Sequence, residues 1–164
     1  MSELIVFAFQ NEAGAAKMAN EMKSLQKQQL VTLSDAATVV RKEDGKVKVR
    51  QANDLVGPGA MGGAFWGMLI GLLFMMPWLG LAIGAVTGAI AGKFTDIGID
   101  DDFIKEVGAT IQPGQSALFL LIEKWTEDKV LPELAGHQAT ILRTNLSKEA
   151  EAKLKAAFGA QEED

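Results

Sequence analysis

The densest group of residues that could do chemistry is acidic: Asp96 is followed by Asp100, Asp101 and Asp102. Carboxylate oxygens are the ligands that Ca²⁺ and Mg²⁺ prefer, but the spacing lacks the Asp-x-Asp-x-Asp-Gly pattern of an EF-hand loop. The same residues precede an apolar-periodic stretch, and acidic side chains stabilise a helix N-terminus because they face the positive end of the helix dipole. We therefore expect a helix to begin here, and we expect no metal site.

The other residues with catalytic potential are isolated from one another. His137 is the sole histidine and cysteine is absent, so the chain offers no zinc-ligand set, thiolate nucleophile or disulfide. None of the five serines lies in a Gly-x-Ser-x-Gly sequence. Gly57-Pro58-Gly59 lacks the Lys-Ser/Thr pair of a phosphate-binding loop and is more typical of a hinge. These observations predict a protein that is not an enzyme and holds no cofactor.

Charge is distributed unevenly over the 164 residues, whose net charge is −5. Residues 1–54 contain eight Lys/Arg and seven Asp/Glu, whereas residues 93–164 contain eight and fourteen. This lacks the clustered basic footprint of a nucleic-acid-binding protein, so nucleic acid is not an expected partner.

A basic group precedes the uncharged centre of the chain: Arg41, Lys42, Lys46, Lys48 and Arg50. Positively charged flanks of a membrane segment tend to stay on the cytoplasmic side. The N-terminus lacks the basic region and the cleavage site of a secretory signal. We therefore expect the charged flanks to be cytoplasmic.

The patterns on both sides of the centre predict alternating strands and helices. Apolar runs predict strands at 4–9, 36–41, 46–50, 116–122 and 138–144. Helical spacing predicts helices at 12–30, with Asn11 as N-cap, after Asp100, at 127–134 and at 147–158. The order β-α-β-β-α-β-α-β-α suits an α+β fold, a ferredoxin-like sandwich with helices on one face of one sheet, with a more open α/β sheet as the alternative.

The centre of the chain, from Leu55 to Gly92, contains no charged residue over 38 positions. Pro77 divides this run into two apolar stretches of helical length, 59–76 and 78–92, because proline interrupts a helix. Glycine recurs at every fourth residue within each stretch, which places a glycine stripe along one side of each helix. The stripes contain Gly63, Gly67, Gly71, Gly80, Gly84, Gly88 and Gly92.

Bulky side chains fall on the other side of each predicted helix. We expect them to face lipid or a partner: Phe65, Leu69, Leu72, Met76, Trp78, Leu79, Ile83, Val86 and Ile90. A glycine costs a helix about 1 kcal/mol relative to Ala, so aligned glycines require a compensating contact, and helices that lack β-carbons can approach closely. We therefore predict an inserted glycine-zipper helical hairpin. Residues 57–92 would form it, residues 1–56 and 93–160 would form one discontinuous α+β domain, and 161–164 would be a frayed tail.

Three arrangements could cover the bulky sides of the hairpin. It could lie in a membrane, spanning or re-entrant, it could be sheltered in a homo-oligomer, or it could fold back on its own domain. Helices of 15–18 residues extend roughly 23–27 Å, which is a little short of a ~30 Å hydrocarbon core. Membrane embedding is the preferred interpretation because an uncharged arm is unstable in water.

The chain resembles a family of uncharacterised bacterial and archaeal proteins that are described as predicted membrane proteins. The resemblance rests on LIVFAF at 4–9, the glycine-rich hairpin at 57–92, FTDIGIDDDFIKEVGATIQPGQSALFLLIE at 94–123 and ILRTNL at 141–146. It implies membrane association. It supplies no activity, cofactor or catalytic residue to transfer to this chain.

The leading functional hypothesis is a non-enzymatic, membrane-associated, self-assembling protein. Its α+β domain would be cytoplasmic, and its hairpins would pack in the bilayer or in the interior of a homo-oligomer. The alternative is a soluble cytoplasmic homo-oligomer whose hairpins form an apolar chamber for a lipid or quinone-like guest. The expected partners are therefore membrane lipid or another apolar guest, and further copies of the chain.

Overall fold

The computed structural model describes residues 2–52, 66, 69–71, 73–74, 99, 101–134 and 139–146. The elements are β1 (Ser2–Phe9), α1 (Gly14–Lys27), β2 (Val31–Arg41), β3 (Val47–Gln51), α2 (Asp101–Thr110), β4 (Gln115–Trp125), α3 (Glu127–Leu134) and β5 (Thr140–Leu146). Residues 66, 69–71 and 73 are also helical. We call these helical residues, together with Phe74, the first leg, because they lie in the first half of the uncharged run.

The described strands form one antiparallel sheet in the order β3-β2-β4-β1-β5. β4 is central because its continuous apolar run suits a strand that is buried on both faces. It pairs with β1, where Phe119 lies opposite Val6, and with β2, where Leu118 lies opposite Thr38. Strands from before and after the uncharged run therefore share one sheet, and the predicted α+β class is confirmed.

β2 contains an irregularity that shifts its side chains from one face to the other. Leu33 lies opposite Ile122 and Asp35 lies opposite Leu121, which leaves Ser34 as an extra residue in the ladder. Val31 and Leu33 join one core, whereas Ala37 and Val39 join the other. The strand was predicted to begin only at 36 because this phase shift interrupts the alternation of apolar and polar residues.

The β2–β3 connection is the predicted Asp-Gly turn. Gly45 has φ +90°, a backbone conformation that glycine adopts without strain. The Lys42 N–H donates to the Lys46 carbonyl at 2.7 Å, and the Gly45 N–H donates to the Lys42 carbonyl at 2.9 Å. These bonds set the register of the two strands.

One face of the sheet, which we call the α1 face, is covered by α1 and α3. Phe7 and Leu120 of the sheet pack with Met18 and Met22 of α1 and with Val130 of α3. The opposite face is covered by the first leg and α2, as described below. The prediction that helices cover one face only is wrong, because the uncharged run supplies a covering layer of its own.

Helix α1 begins without the predicted side-chain cap. Its N-cap is Ala13 and no side chain caps it, so the assignment of Asn11 as N-cap is wrong. The Ala15 N–H donates instead to the Ser116 hydroxyl at 3.1 Å, and that hydroxyl donates to the Asn11 carbonyl at 2.7 Å. The fully buried Ser116 thus joins the start of α1 to β4.

Candidate functional site: the hairpin face of the sheet

The side of the sheet that faces the first leg is apolar across four strands, and we call it the hairpin face. Alternation along each strand directs every second side chain to it. Its sheet residues are Leu4, Val6, Ala8, Ala37, Val39, Ala117, Phe119, Leu121 and Leu142, all of which are buried.

The first leg packs on this face within a single chain. Trp66, Leu69 and Ile70 have no exposed surface, and Leu73 and Phe74 are at most 9% exposed. The Trp66 and Phe119 rings lie 6.1 Å apart at an interplanar angle of 71°, an edge-to-face contact. The described part of the uncharged run is therefore interior to its own domain.

Helix α2 approaches the end of the first leg closely enough for the two backbones to touch. A β-carbon at Gly108 would collide with the carbonyl oxygen of Leu73. Ile104 and Val107, which precede Gly108 in α2, are buried in the same core. Glycine is therefore required at position 108 for α2 to pack against the first leg at this distance.

Arg41 also contacts this end of the first leg. Its guanidinium carbon lies 5.0 Å from the centre of the Phe74 ring, within cation–π range. Its Nη1 donates to the Ile111 carbonyl at 2.8 Å, just beyond the end of α2. Arg41 therefore links β2, the end of α2 and Phe74, and we call Arg41, Gly108, Leu73 and Phe74 the root of the hairpin.

A buried carboxylate also lies on the hairpin face. Asp35 has no exposed surface, and it lies opposite Leu121, a residue of this face. Its Oδ1 accepts the Ala36 N–H at 2.8 Å. The irregularity at Ser34 turns this carboxylate toward the hairpin face, since a one-residue shift moves a strand's side chains to the opposite face.

The structure describes two of the residues that the sequence assigned to the hairpin surfaces. Gly71, predicted to contact the second helix, is buried. Leu69, predicted to face lipid or a partner, instead packs in the core of its own chain, because the sheet provides an apolar surface of its own. The remaining residues of the two sets lie outside the described residues: Gly63, Gly67, Gly80, Gly84, Gly88, Gly92, Phe65, Leu72, Met76, Trp78, Leu79, Ile83, Val86 and Ile90.

The sequence from within the uncharged run to beyond the end of β5 matches a family model. Residues 60–159 match the family described as "Protein of unknown function (DUF1269)". This match covers 100 of the 164 residues. The chain belongs to this family.

The DUF1269 match narrows the resemblance inferred from the sequence. It agrees with membership of an uncharacterised family, but it does not include the opening strand at 4–9. The matched segment contains the first leg, α2, β4, α3 and β5. No curated protein and no solved structure matches the chain significantly.

The predicted membrane hairpin and the acidic group can be compared with the described residues only. Within them, no helix is both long enough and apolar enough to cross a bilayer. Within the same ranges, no three His, Cys, Asp or Glu residues are grouped so that they could hold a metal ion. Helix α2 begins at Asp101, where the acidic group predicted a helix start, while Asp96, Asp100 and His137 lie outside the described residues.

A cluster of charged side chains lies on the α1 face. The Arg143 guanidinium carbon is 5.7 Å from the Trp125 ring centre, and its nitrogens lie 2.8 Å from Glu3 and 2.7 Å from Glu127. The hydrogen bond with Glu127, followed by the charge of Glu3, raises the pKa of Arg143. Arg143 is 43% exposed, so these pairs contribute little to stability.

A cavity of about 150 Å³ lies beside this cluster, at the end of α1 and the ends of β2 and β4. Gln29, in its wall, has φ 62°, the left-handed conformation that often ends a helix. The Leu30 N–H returns to the Leu25 carbonyl at 3.0 Å, which is consistent with such a helix end. We assign the strained backbone at Gln29 to helix termination rather than to binding.

Sequence reasoning missed Gly108 and Asp35. A glycine inside an otherwise helical pattern often marks close packing of another backbone, so Gly108 had a readable signal. Asp35 had none, because only the register of β2 against β4 shows which face the carboxylate occupies.

Proposed function

We propose that the chain is a non-enzymatic, membrane-associated protein that enters one leaflet of a bilayer and self-assembles there. The observation that carries this proposal is that the residues on either side of the segment 75–98 are buried in one core. Phe74 and Ile99 both belong to the hairpin-face core. The segment between them therefore begins and ends at this core, and we propose that it extends from the core into the bilayer.

The length of that excursion limits its depth. Twenty-four residues, 75–98, separate Phe74 from Ile99. If they were helical in both directions, about twelve residues each way would reach roughly 18 Å, because a helix rises 1.5 Å per residue. A hydrocarbon core is about 30 Å thick, and backbone N–H and C=O groups without hydrogen-bond partners are not tolerated inside it. With the first leg on the sheet, the segment is too short to cross and return, so insertion into one leaflet is favoured.

The composition of the excursion supports an apolar environment. Residues 75–92 contain no charge and include Trp78, whose ring type is enriched at membrane interfaces. Gly80, Gly84 and Gly88 recur with the spacing of helices that associate through their backbones. We assign lateral self-association to this second stripe, since Gly71 of the first stripe is buried inside the chain. A ferredoxin-like arrangement of β1, α1, β2, β4, α3 and β5, with β3 added at the edge, would be the platform.

Single-cysteine labelling tests the depth of insertion. The chain has no cysteine, so Trp78→Cys or Val86→Cys provides a unique thiol. The full-length protein would be added to vesicles loaded with a membrane-impermeant maleimide. We expect neither thiol to react with the internal reagent, and we expect both to be protected from reagent added outside. Lys23→Cys, on the exposed side of α1, is the control that should react outside.

The outcomes separate the alternatives. Reaction with the internal reagent would contradict one-leaflet insertion and would favour a spanning hairpin with an undocked first leg. A detergent-free, monodisperse monomer that does not bind vesicles would overturn the proposal as a whole. A detergent-free oligomer that carries extractable apolar material would support the chamber instead.

The glycine stripe can be tested separately. Gly84→Leu or Gly88→Leu should reduce the oligomer mass while α1 and the sheet stay folded, because leucine separates the helix backbones. Ile83→Leu, which conserves volume, is the matched control. Unchanged mass in both glycine variants would contradict the assignment.

A further inference from the structure

The edge strand β3 presents a row of cations. Lys46, which directly precedes β3, and Lys48 and Arg50 of β3 alternate with Val47 and Val49. The valines are half-buried against the hairpin-face core, and the three basic residues are exposed. Since successive side chains of a strand point to opposite faces, the cations share one side of β3. No described strand pairs with the outer edge of β3.

These cations are not neutralised by the described part of the chain. Lys48 lies opposite Val40 and Arg50 lies opposite Thr38, so their cross-strand neighbours carry no charge. The ion pairs found between described residues are made by Arg143.

The two acidic residues of the β2–β3 turn, Glu43 and Asp44, form no ion pair with this row among the described residues. Asp44, in the turn, accepts the backbone N–H of Lys46 at 3.0 Å. Glu43 lies beside Gly114. The positive side of β3 is therefore left open in a protein whose net charge is −5.

We infer that this row, Lys46, Lys48 and Arg50, is a docking surface for the anionic phospholipid headgroups of a bilayer. The inference rests on the proposed function. Arg50 lies five residues before Leu55, where the uncharged run begins. Each basic residue next to a membrane-inserted segment raises the affinity for anionic lipid about five-fold. The row would fix the edge of the sheet against the headgroups while the excursion enters the leaflet.

Protection of the sheet edge is the competing role for these residues. Lysine on an edge strand discourages pairing with other chains, and a carboxylate of equal size would do so equally well. Of these two roles, only lipid docking requires that the charge be positive. Reversal of the charge therefore separates the two roles.

The test is flotation of the full-length protein with vesicles of neutral phosphatidylcholine or of phosphatidylcholine with phosphatidylglycerol. The variant Lys46→Gln/Lys48→Gln/Arg50→Gln should lose on the order of 100-fold in affinity for the anionic vesicles. The matched control Lys17→Gln/Lys23→Gln/Lys27→Gln removes three exposed lysines of α1 and should retain binding. Lys48→Glu/Arg50→Glu should also lose anionic binding while it stays monodisperse. Raising the salt concentration should weaken wild-type binding, because screening shortens the range of surface charges.

Each outcome decides one point. Equal flotation with both vesicle types, or equal loss in both triple variants, would overturn the inference and leave the proposed insertion standing. If high salt abolishes vesicle binding completely and external maleimide reacts with Trp78→Cys, lipid docking by the basic row would be supported and insertion into the leaflet would be overturned. Aggregation of the Gln variant with unchanged lipid binding by the Glu variant would assign the row to edge protection. If the wild-type protein does not float with either vesicle type but binds a short duplex DNA, and the triple Gln variant does not bind that DNA, lipid docking would be overturned in favour of nucleic-acid binding.

Discussion

The two faces of the sheet are equally buried but are covered in different ways. The α1 face is covered by α1, a helix that alternates apolar and charged surfaces and follows β1 directly. The hairpin face is covered by α2 and by the first leg, which comes from a run with no charged residue. A covering helix normally has a polar outer side, and the sequence of the first leg supplies none.

This difference supports the proposal that the hairpin face is the base of a larger apolar assembly. On the α1 face, burial ends at the charged outer side of the helix. On the hairpin face, the apolar sequence continues past Phe74 for 18 uncharged residues, 75–92. The first leg therefore joins the core of the domain to the rest of the uncharged run.

The largest expected effect tests whether both faces are equally packed in solution. Phe7→Ala on the α1 face and Phe119→Ala on the hairpin face should each lower the free energy of unfolding by about 3–5 kcal/mol, because both rings are fully buried. Urea denaturation of the full-length protein measures this. A loss below about 1 kcal/mol for Phe119→Ala alone would mean that the first leg does not stay on the sheet.

An intermediate effect is expected at the root of the hairpin. Gly108→Ala should lower the free energy of unfolding by about 1–3 kcal/mol through overpacking against Leu73, although alanine favours a helix by about 1 kcal/mol. Hydrogen exchange of the Phe74 N–H, which donates to the Ile70 carbonyl at 3.2 Å, should accelerate.

The neighbouring exposed residue provides the control for this prediction. Ala109→Gly should cost about 0.5–1 kcal/mol through helix propensity and should leave exchange at Phe74 unchanged. A neutral or stabilising Gly108→Ala would contradict the close contact between α2 and the first leg.

The smallest expected effect is the difference in stability lost when each of two arginines is replaced. Each of these arginines lies over an aromatic ring. Arg41→Met should cost about 1–3 kcal/mol, because a partly buried charged hydrogen bond is lost. Arg143→Met should cost at most about 1 kcal/mol, since its ion pairs are exposed. Thermal and urea unfolding of both variants would measure the difference, and equal losses would contradict the role of Arg41 in the root.

The pH dependence of the Arg143 contribution has a definite sign. Its pKa is raised in the folded protein, chiefly by Glu127. Stability from a raised pKa is fully present below the unfolded value and is lost only as pH rises through the folded value. The cost of Arg143→Met should therefore be constant across the neutral and mildly alkaline range. A cost that declines there would contradict the raised pKa.

The elements of the α1 face could be predicted well from the sequence. The apolar spacing of Ala15, Met18, Met22 and Leu25 predicts α1, and all four side chains are buried in the structure. Glu127–Leu134 forms α3 with the predicted bounds. Such local patterns suffice because each element buries one face against a neighbouring strand.

The hairpin face could not be predicted in the same way. A helix that is apolar all round has no polar side to show its orientation, so Leu69 was assigned to the wrong surface. The phase of β2 depends on the extra residue Ser34, which becomes visible only from pairing with β4. Periodicity determines which residues are apolar, whereas long-range pairing determines what they contact.

The order of the strands restricts how this protein can be divided. β4 and β5 both lie inside the segment shared with the family, yet they are not neighbours, because β1 stands between them. A fragment cut at residues 60 and 159 would leave β5 without a hydrogen-bonding partner among the described strands, and both edges of β4 open. Any relative that carries only this segment must fill that gap with a strand from elsewhere in its chain or from another molecule.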